Sequence, residues 1–391
     1  DKMNSVIQED IAGARVVKAF VQEDKEAERF QKHNKDLSDT QFKVLILMAY
    51  MAPVMNIVLN LAVVGIIYIG GIQVQAGAMA PGKVMAAITY ISQILNGMMM
   101  LAMIFQTISR GTTSAKRINE VLKSEPAIRD GKGAEGQIAA DPANAIEFKN
   151  VSFTYPGSKA NVLHDINLRI KKGEMLAVIG ATGCGKSTFV NMIDRFYDAT
   201  SGEVLIDGVP IRDYKLDKLR DKIAFVLQKS ELFSTTIREN IMIGKPGATE
   251  DELKEAARAA QADDFIMQQP EGYDTAVAQS GMSLSGGQKQ RIAISRALIK
   301  DSDILVMDDS TSALDLKTEA ALHKALREKF AGITKVIVAQ RIATVKNADR
   351  IAVIDGGTII ACAPHDELMK TCSVYRDIYD SQLKRGGAAN G

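Results

Sequence analysis

Two long runs without a charged residue dominate the first third of the chain. No Asp, Glu, Lys or Arg occurs from Val44 to Gly82, and none from Val84 to Ser109. A bilayer core about 30 Å thick is crossed by roughly 20 apolar helical residues, so the pattern predicts two membrane helices, about 44–71 and 84–108. Pro53 is expected to kink the first, which membrane helices tolerate. Lys and Arg crowd the outer flanks: Lys25, Arg29, Lys32, Lys35 and Lys43 before the runs, and Arg110, Lys116 and Arg117 after them. The turn between them carries Lys83 alone, so both ends of the hairpin are placed in the cytoplasm and the turn outside. Residues 1–43 are charged and helix-favouring, and read as a cytoplasmic helical extension leading into the first span. The second span is expected to continue as helix through RINEVLKS.

The pattern then changes. Residues 125–145 are rich in Pro, Gly and Ala, lack apolar periodicity, and predict a linker. From Ile146 short apolar runs alternate with helical stretches. MLAVIG, EVLIDG, IAFVLQ, DILVMDD and KVIVAQ predict strands buried on both faces of a largely parallel sheet. Thr249 and Glu252 stand at capping-box spacing and mark a helix start. A short tail, 386–391, closes the sequence.

Composition sharpens this picture in three places. The 391 residues carry a net charge of +1, no Trp and 5% aromatics, which gives neither the basic footprint nor the stacking platforms of a nucleic-acid-binding protein. Cys184, Cys362 and Cys372 are too few and too scattered for a disulfide framework. Methionines gather in the apolar region (Met48, Met51, Met55, Met79, Met85, Met98, Met99, Met100, Met103), where they either line an adaptable apolar surface or simply pack helices and face lipid.

The chemistry begins at GATGCGKST, residues Gly180, Ala181, Thr182, Gly183, Cys184, Gly185, Lys186, Ser187 and Thr188. It lies between a predicted strand and a predicted helix, the setting that marks a P-loop. Glycines let backbone N–H groups converge on phosphate, and the helix adds its positive end. Lys186 is expected to reach the β- and γ-phosphates of ATP, and Ser187 to ligate Mg²⁺. Cys184 is read first as a small residue that fits the loop, the alternative being a thiol made reactive toward alkylating agents by Lys186 and the helix start. ILVMD ends in Asp308, the acid expected to hold Mg²⁺.

LSGGQ, Leu284 to Gln288, completes the set with SALD, Ser312 to Asp315. In this order the motifs over 146–385 resemble the ATPase domain of ABC transporters. The resemblance implies an α/β P-loop fold with a RecA-like core, a helical subdomain and an antiparallel β subdomain, preceded by an all-α membrane hairpin. It implies that Tyr155 stacks on adenine and that Gln228 contacts Mg²⁺ and couples to the membrane region. It further implies that Ser285, Gly286, Gly287 and Gln288 close over ATP held by a partner domain in a head-to-tail dimer. Residues 1–124 resemble the last part of the membrane domain of exporter-type subunits, with four earlier helices lacking. The chain is therefore expected to be a fragment of a plasma-membrane, multi-pass subunit whose ATPase domain is cytoplasmic.

Three positions depart from the family pattern. Asp309 stands where the family has the Glu that polarises the attacking water, and Gln340 stands in place of the switch His. Ala278 to Gly281 replaces a Glu-Arg-Gly segment. Shortening the acid by one methylene withdraws its carboxylate by roughly one bond length. Gln donates a hydrogen bond but carries no proton near neutral pH. Asp309 and Gln340 together predict a catalytically weakened site paired with a different, competent subunit, a homodimer being the poorer fit. The change at Ala278 to Gly281 predicts a different transmission between the ATP site and the coupling helices. The predicted function is an ABC exporter subunit for amphipathic or apolar cargo of multidrug type. The alternatives are a lipid or peptide exporter subunit and a non-hydrolysing regulatory ATP-binding module. Soluble DNA-repair or translation ATPases and importer ATPases are disfavoured by the fused hairpin.

Overall fold

A computed structural model describes residues 2–133, 143–278, 281 and 283–387. The chain divides into two units, Asp1–Glu125 and Pro126–Gly391. In the first, α1 (Lys2–Ala19) is followed by two long helices, α2 (Glu23–Gln75) and α3 (Pro81–Leu122). The first charge-free run lies on α2, which is long and apolar enough to cross a membrane, with a window of mean hydropathy 2.2 that is only 6% buried. Pro53 sits inside this continuous helix. Pro81 is at the first turn of α3, where its missing N–H has no intrahelical acceptor to lose. Gly70 lets α3 approach α2: a Cβ there would meet Val84 Cγ2 at 2.7 Å. The helix expected to run on through RINEVLKS does so as far as Leu122.

The second unit carries ten strands among its described residues. In chain order they are β1 (Asn144–Phe153), β2 (Leu163–Lys171), β3 (Met175–Ile179), β4 (Ser201–Ile206) and β5 (Val209–Pro210). Then follow β6 (Ile223–Val226), β7 (Ile304–Asp308), β8 (Thr334–Val338), β9 (Arg350–Asp355) and β10 (Thr358–Ala363). One sheet, in the order β2-β1-β4-β5, is antiparallel; the other runs β10-β9-β3-β8-β7-β6. Within the larger sheet β9, β3, β8, β7 and β6 are mutually parallel. Strands β3, β7 and β8 are buried at every position, which is why they read as unbroken apolar runs.

EVLIDG corrects an expectation. It forms β4, which pairs antiparallel with β1 (Phe148 opposite Val204) instead of joining the parallel sheet. Its first three residues are exposed and its last three buried. A short apolar run reports burial, not the direction of the neighbouring strand.

The helices are α4 (Lys186–Ile193), α5 (Leu216–Asp221), α6 (Ile237–Met242), α7 (Glu250–Ala259) and α8 (Asp263–Met267). After these come α9 (Gly286–Leu298), α10 (Leu316–Glu328), α11 (Ile342–Val345), α12 (His365–Thr371) and α13 (Ser373–Gly387). The capping box of Thr249 and Glu252 opens α7 as its spacing predicts. Part of the segment read as a linker is hydrogen-bonded to the ATPase unit: Gly131 N donates to Tyr214 O at 2.9 Å, and Asp130 Oδ1 accepts from Leu216 N at 2.8 Å. Residues 134–142 of that segment, Gln279 and Ser280 of the departing tetrapeptide, and 388–391 of the tail lie outside the described residues.

At the end of α4, burial pushes the Asp194 carboxyl up to about 6, against the opposing pull of Arg220 and Lys300. Folded protein keeps this proton up to about pH 6, whereas an unfolded Asp releases it near 3.8. Stability therefore falls as pH rises from about 4 through 6 and stays at the lower level above, a loss on the order of 2–3 kcal/mol. Asp194→Asn should raise the thermal midpoint of the ATPase unit at pH 7.5, and the gap should shrink toward pH 4.5. A gap that is the same at both pH values would contradict this.

Candidate functional site

Parallel strands end at one edge of their sheet, and four of them deliver the site there. Strand β3 leads into the loop Gly180–Gly185, β6 is followed by Gln228, β7 ends in Asp308 with Asp309 next, and Gln340 lies two residues beyond β8. The loop geometry demands its glycines. A Cβ on Gly180 would lie 2.1 Å from Ile354 O, and Gly185, at φ +102°, takes a conformation closed to most side chains. Lys186, first residue of α4, turns its ammonium onto the loop, donating to Gly180 O at 2.9 Å and Ala181 O at 2.7 Å. Ser187 Oγ donates to Asp308 Oδ1 at 3.0 Å.

These residues border a cleft of about 360 Å³. Its walls include Tyr155, Thr182, Gly183, Gly185, Lys186, Ser187, Thr188, Gln228, Asp308, Asp309 and Gln340, as sequence suggested. The Tyr155 hydroxyl is hydrogen-bonded to Thr188 Oγ1 at 2.9 Å, and its ring meets Phe153 and Tyr197 edge-on. Cys184 is half-buried, with Sγ 3.9 Å from Lys186 Nζ. Val162 and Val338 also line the cleft and were not singled out from sequence, because an isolated Val carries no chemical signal.

Asp309 is the centre of the polar arrangement. It is 7% exposed and adopts φ +45°, a left-handed conformation that Asp tolerates better than most residues. Its N–H still pairs with Val338 O at 3.1 Å, which fixes it against β8. Two carboxamides converge on one of its oxygens: Gln340 Nε2 donates to Oδ2 at 2.6 Å and Gln228 Nε2 to the same atom at 3.4 Å. Burial raises the pKa of both Asp308 and Asp309 above the usual carboxylate range. The Ser187 hydrogen bond opposes the rise at Asp308, the two amides oppose it at Asp309, and the Lys186 charge opposes both.

The LSGGQ segment is not part of this cleft. Ser285 caps α9, its Oγ accepting from Gln288 N while the Gln288 carboxamide accepts from Ser285 N at 2.8 Å. Ser285, Gly286 and Gly287 face a separate hollow shared with Ala313, Leu314 and Asp315. Of the predicted residues outside LSGGQ, Gly180, Ala181 and Cys184 lie in the loop without lining the cleft, and all the others line it.

A second polar cluster lies behind the site. Glu319 on α10 is 4% exposed, and its Oε1 accepts from Thr311 Oγ1 and Thr344 Oγ1, both at 2.7 Å. Its Oε2 accepts from Arg341 Nη1 at 3.1 Å, and the same nitrogen donates to Leu314 O at 3.2 Å. This ties the residues after Asp309 to those after Gln340. Sequence reading missed it, since Glu319 sits in a helix that looks like an ordinary amphipathic one.

Comparison with known proteins accounts for both units. Residues 163–312 match the family model described as ABC transporter, and residues 1–99 match the ABC transporter transmembrane region. An uncharacterized ABC transporter ATP-binding protein, YfiB of Bacillus subtilis, is 38% identical over 388 residues, covering 99% of this chain and 67% of that protein. The chain belongs to the ABC transporter family.

This ABC transporter chain is 40% identical over 381 residues to an ATP-dependent lipid A-core flippase of Desulfotalea psychrophila, covering 97% of the chain and 66% of the relative. It is 41% identical over 377 residues to a putative multidrug export ATP-binding/permease protein, YgaD, of Bacillus subtilis, covering 96% and 64%. The chain thus spans about two thirds of the length of these curated relatives. A solved bacterial Atm1-family ABC exporter with ATP bound superposes with a TM-score of 0.86 at 29% identity, covering 97% of this chain and 67% of that one. The fold is that of an exporter: a helical membrane region fused to an ABC ATPase domain with mixed sheets, in a multi-pass plasma-membrane protein whose ATPase domain is cytoplasmic.

Proposed function

We propose that this chain is the ATP-binding and permease part of an exporter subunit whose own ATP site hydrolyses poorly and whose LSGGQ motif completes the productive site of a second, different subunit. The arrangement around Asp309 carries this reading. Its carboxylate is one methylene shorter than Glu, is fixed against β8, and has one oxygen engaged by Gln340 and Gln228. Gln340 cannot take up and pass on a proton near neutral pH, as His can.

The residues present fit ATP with Mg²⁺. Gly180 and Gly185 let the loop pack against Ile354 O and Leu163, where a Cβ would clash, and Lys186 and the start of α4 supply positive charge for phosphates. Tyr155 offers an aromatic face for adenine. Ser187, Asp308 and Gln228 offer the oxygen set that suits Mg²⁺, which when bound neutralises phosphate charge. In the partner's site, Ser285 and the amides of Gly286 and Gly287 would close over nucleotide from the opposite side, with Gln288 holding the cap that presents them. Cargo of amphipathic or apolar character, whether drug-like, lipid or peptide, suits the charge-free helices. The relatives described as a lipid A-core flippase and a multidrug export protein support that range.

ATPase assays of the assembled transporter test the division of labour. Asp309→Ala should leave turnover within about twofold of wild type, while Ala at the partner's catalytic acid should lower it by roughly 10²- to 10⁴-fold, the usual worth of a general base. Loss of most turnover with Asp309→Ala, and little with the partner's change, would reverse the assignment. A regulatory, non-hydrolysing role is the second reading, favoured by the same double engagement of Asp309; it requires that neither substitution alter the occupancy of this site.

A further inference from the structure

We infer that Gln382, on the C-terminal helix, is a positioning residue for the Gln340 segment and sets how long ATP is held at this site. The inference rests on the proposed function and takes Gln340, which lines the cleft with Lys186, Ser187 and Asp308, to face the γ-phosphate of bound ATP. Gln382 Oε1 accepts from Ile342 N at 2.8 Å, and its Nε2 donates to Gln340 O at 2.7 Å. One carboxamide therefore spans two backbone groups of the segment after β8, in the manner of a single ladder rung. From Gln340 the contact continues through its own side chain to Asp309 Oδ2 at 2.6 Å.

The helix that carries Gln382 is firmly seated. Tyr375 is fully buried, and Val374, Ile378 and Tyr379 pack with Ala339, Ile342 and Val345 in one apolar cluster. The segment is held from its other side by the bond from Arg341 to Glu319. Residues 340–345 include no strand and only the four-residue α11, so little of their own backbone pairing fixes them. A 42-residue separation in sequence joins the two partners. Losing the rung frees the backbone of Gln340, and displacement of about 1 Å is enough to spoil a phosphate-facing group.

The test follows the dissociation of a fluorescent ATP analogue from the assembled transporter. Substituting the P-loop Lys of the partner subunit in every variant confines the analogue to this site. Gln382→Ala should accelerate dissociation about tenfold, the loss of two hydrogen bonds acting on one group. Gln382→Glu keeps the acceptor for Ile342 N and loses the donor to Gln340 O, so it should fall between. In a Gln340→Ala background, Gln382→Ala should add nothing. Unchanged dissociation with Gln382→Ala, or equal acceleration in both backgrounds, would overturn the inference, because a merely structural role would act without Gln340. If Gln382→Ala fails to assemble, Gln382→Glu carries the same comparison. If Gln340→Ala alone leaves dissociation unchanged, the reading of Gln340 as a phosphate-facing group fails instead.

Discussion

Asp309→Glu combined with Gln340→His is expected to raise hydrolysis at this site about 100-fold, with each single change giving far less. Glu moves the carboxylate forward by roughly 1.5 Å, the missing bond length. That alone leaves the Gln340 amide, now 2.6 Å from Oδ2, as a donor that cannot release a proton. His alone replaces the amide but faces a carboxylate still drawn back against Gln228. The two residues touch, so their effects should not add. Single-turnover hydrolysis in a transporter whose partner lacks its catalytic acid isolates this site. A double variant no faster than wild type would show that the limit lies elsewhere, for example in closure of the dimer.

The largest stability effect is expected at Glu319. Glu319→Ala leaves the hydroxyls of Thr311 and Thr344 without their acceptor, and Arg341 without its ion pair, in a place where Glu319 itself is 4% exposed. Removing one partner from such a buried cluster costs about 3 kcal/mol. Arg341 is 41% exposed at its side chain, which keeps the figure at the lower end of the range for buried pairs. For a domain of this size the thermal midpoint of the ATPase unit should fall by roughly 10 °C. Glu319→Gln, which preserves shape and part of the bonding, should cost less than half as much. A midpoint unmoved by Glu319→Ala would show that the cluster contributes no net stability. The same cluster joins the segments after Asp309 and Gln340, so ATP retention should weaken alongside stability, whereas Gln382→Ala should weaken retention with a smaller cost in stability.

Much of the architecture was legible from local pattern. The two charge-free runs lie mainly on α2 and α3, and the apolar runs around residues 175–179, 223–226, 304–308 and 334–338 are four of the five parallel strands. The P-loop was legible because its glycines are required one by one: Gly180 by the approach of Ile354 O, and Gly185 by its positive φ. EVLIDG shows the limit, for its apolar residues announced a strand but not the sheet that took it.

The sequence by itself determined which residue types stand at which spacing: a glycine-rich loop of P-loop pattern, an acid ending an apolar strand, an LSGGQ segment, and Asp309 and Gln340 at the positions where the resemblance leads one to expect Glu and His. Those are properties of residue type and spacing along the chain. Only the tertiary structure decided that Gln340 and Gln228 meet on the same oxygen of Asp309, that Glu319 ties two site segments together, and that Gln382 grips the backbone of Gln340. Each of those contacts depends on the register of parallel strands or the seating of a helix. Such placement is fixed by packing across tens of residues, and the side chains involved carry no local pattern that would announce it.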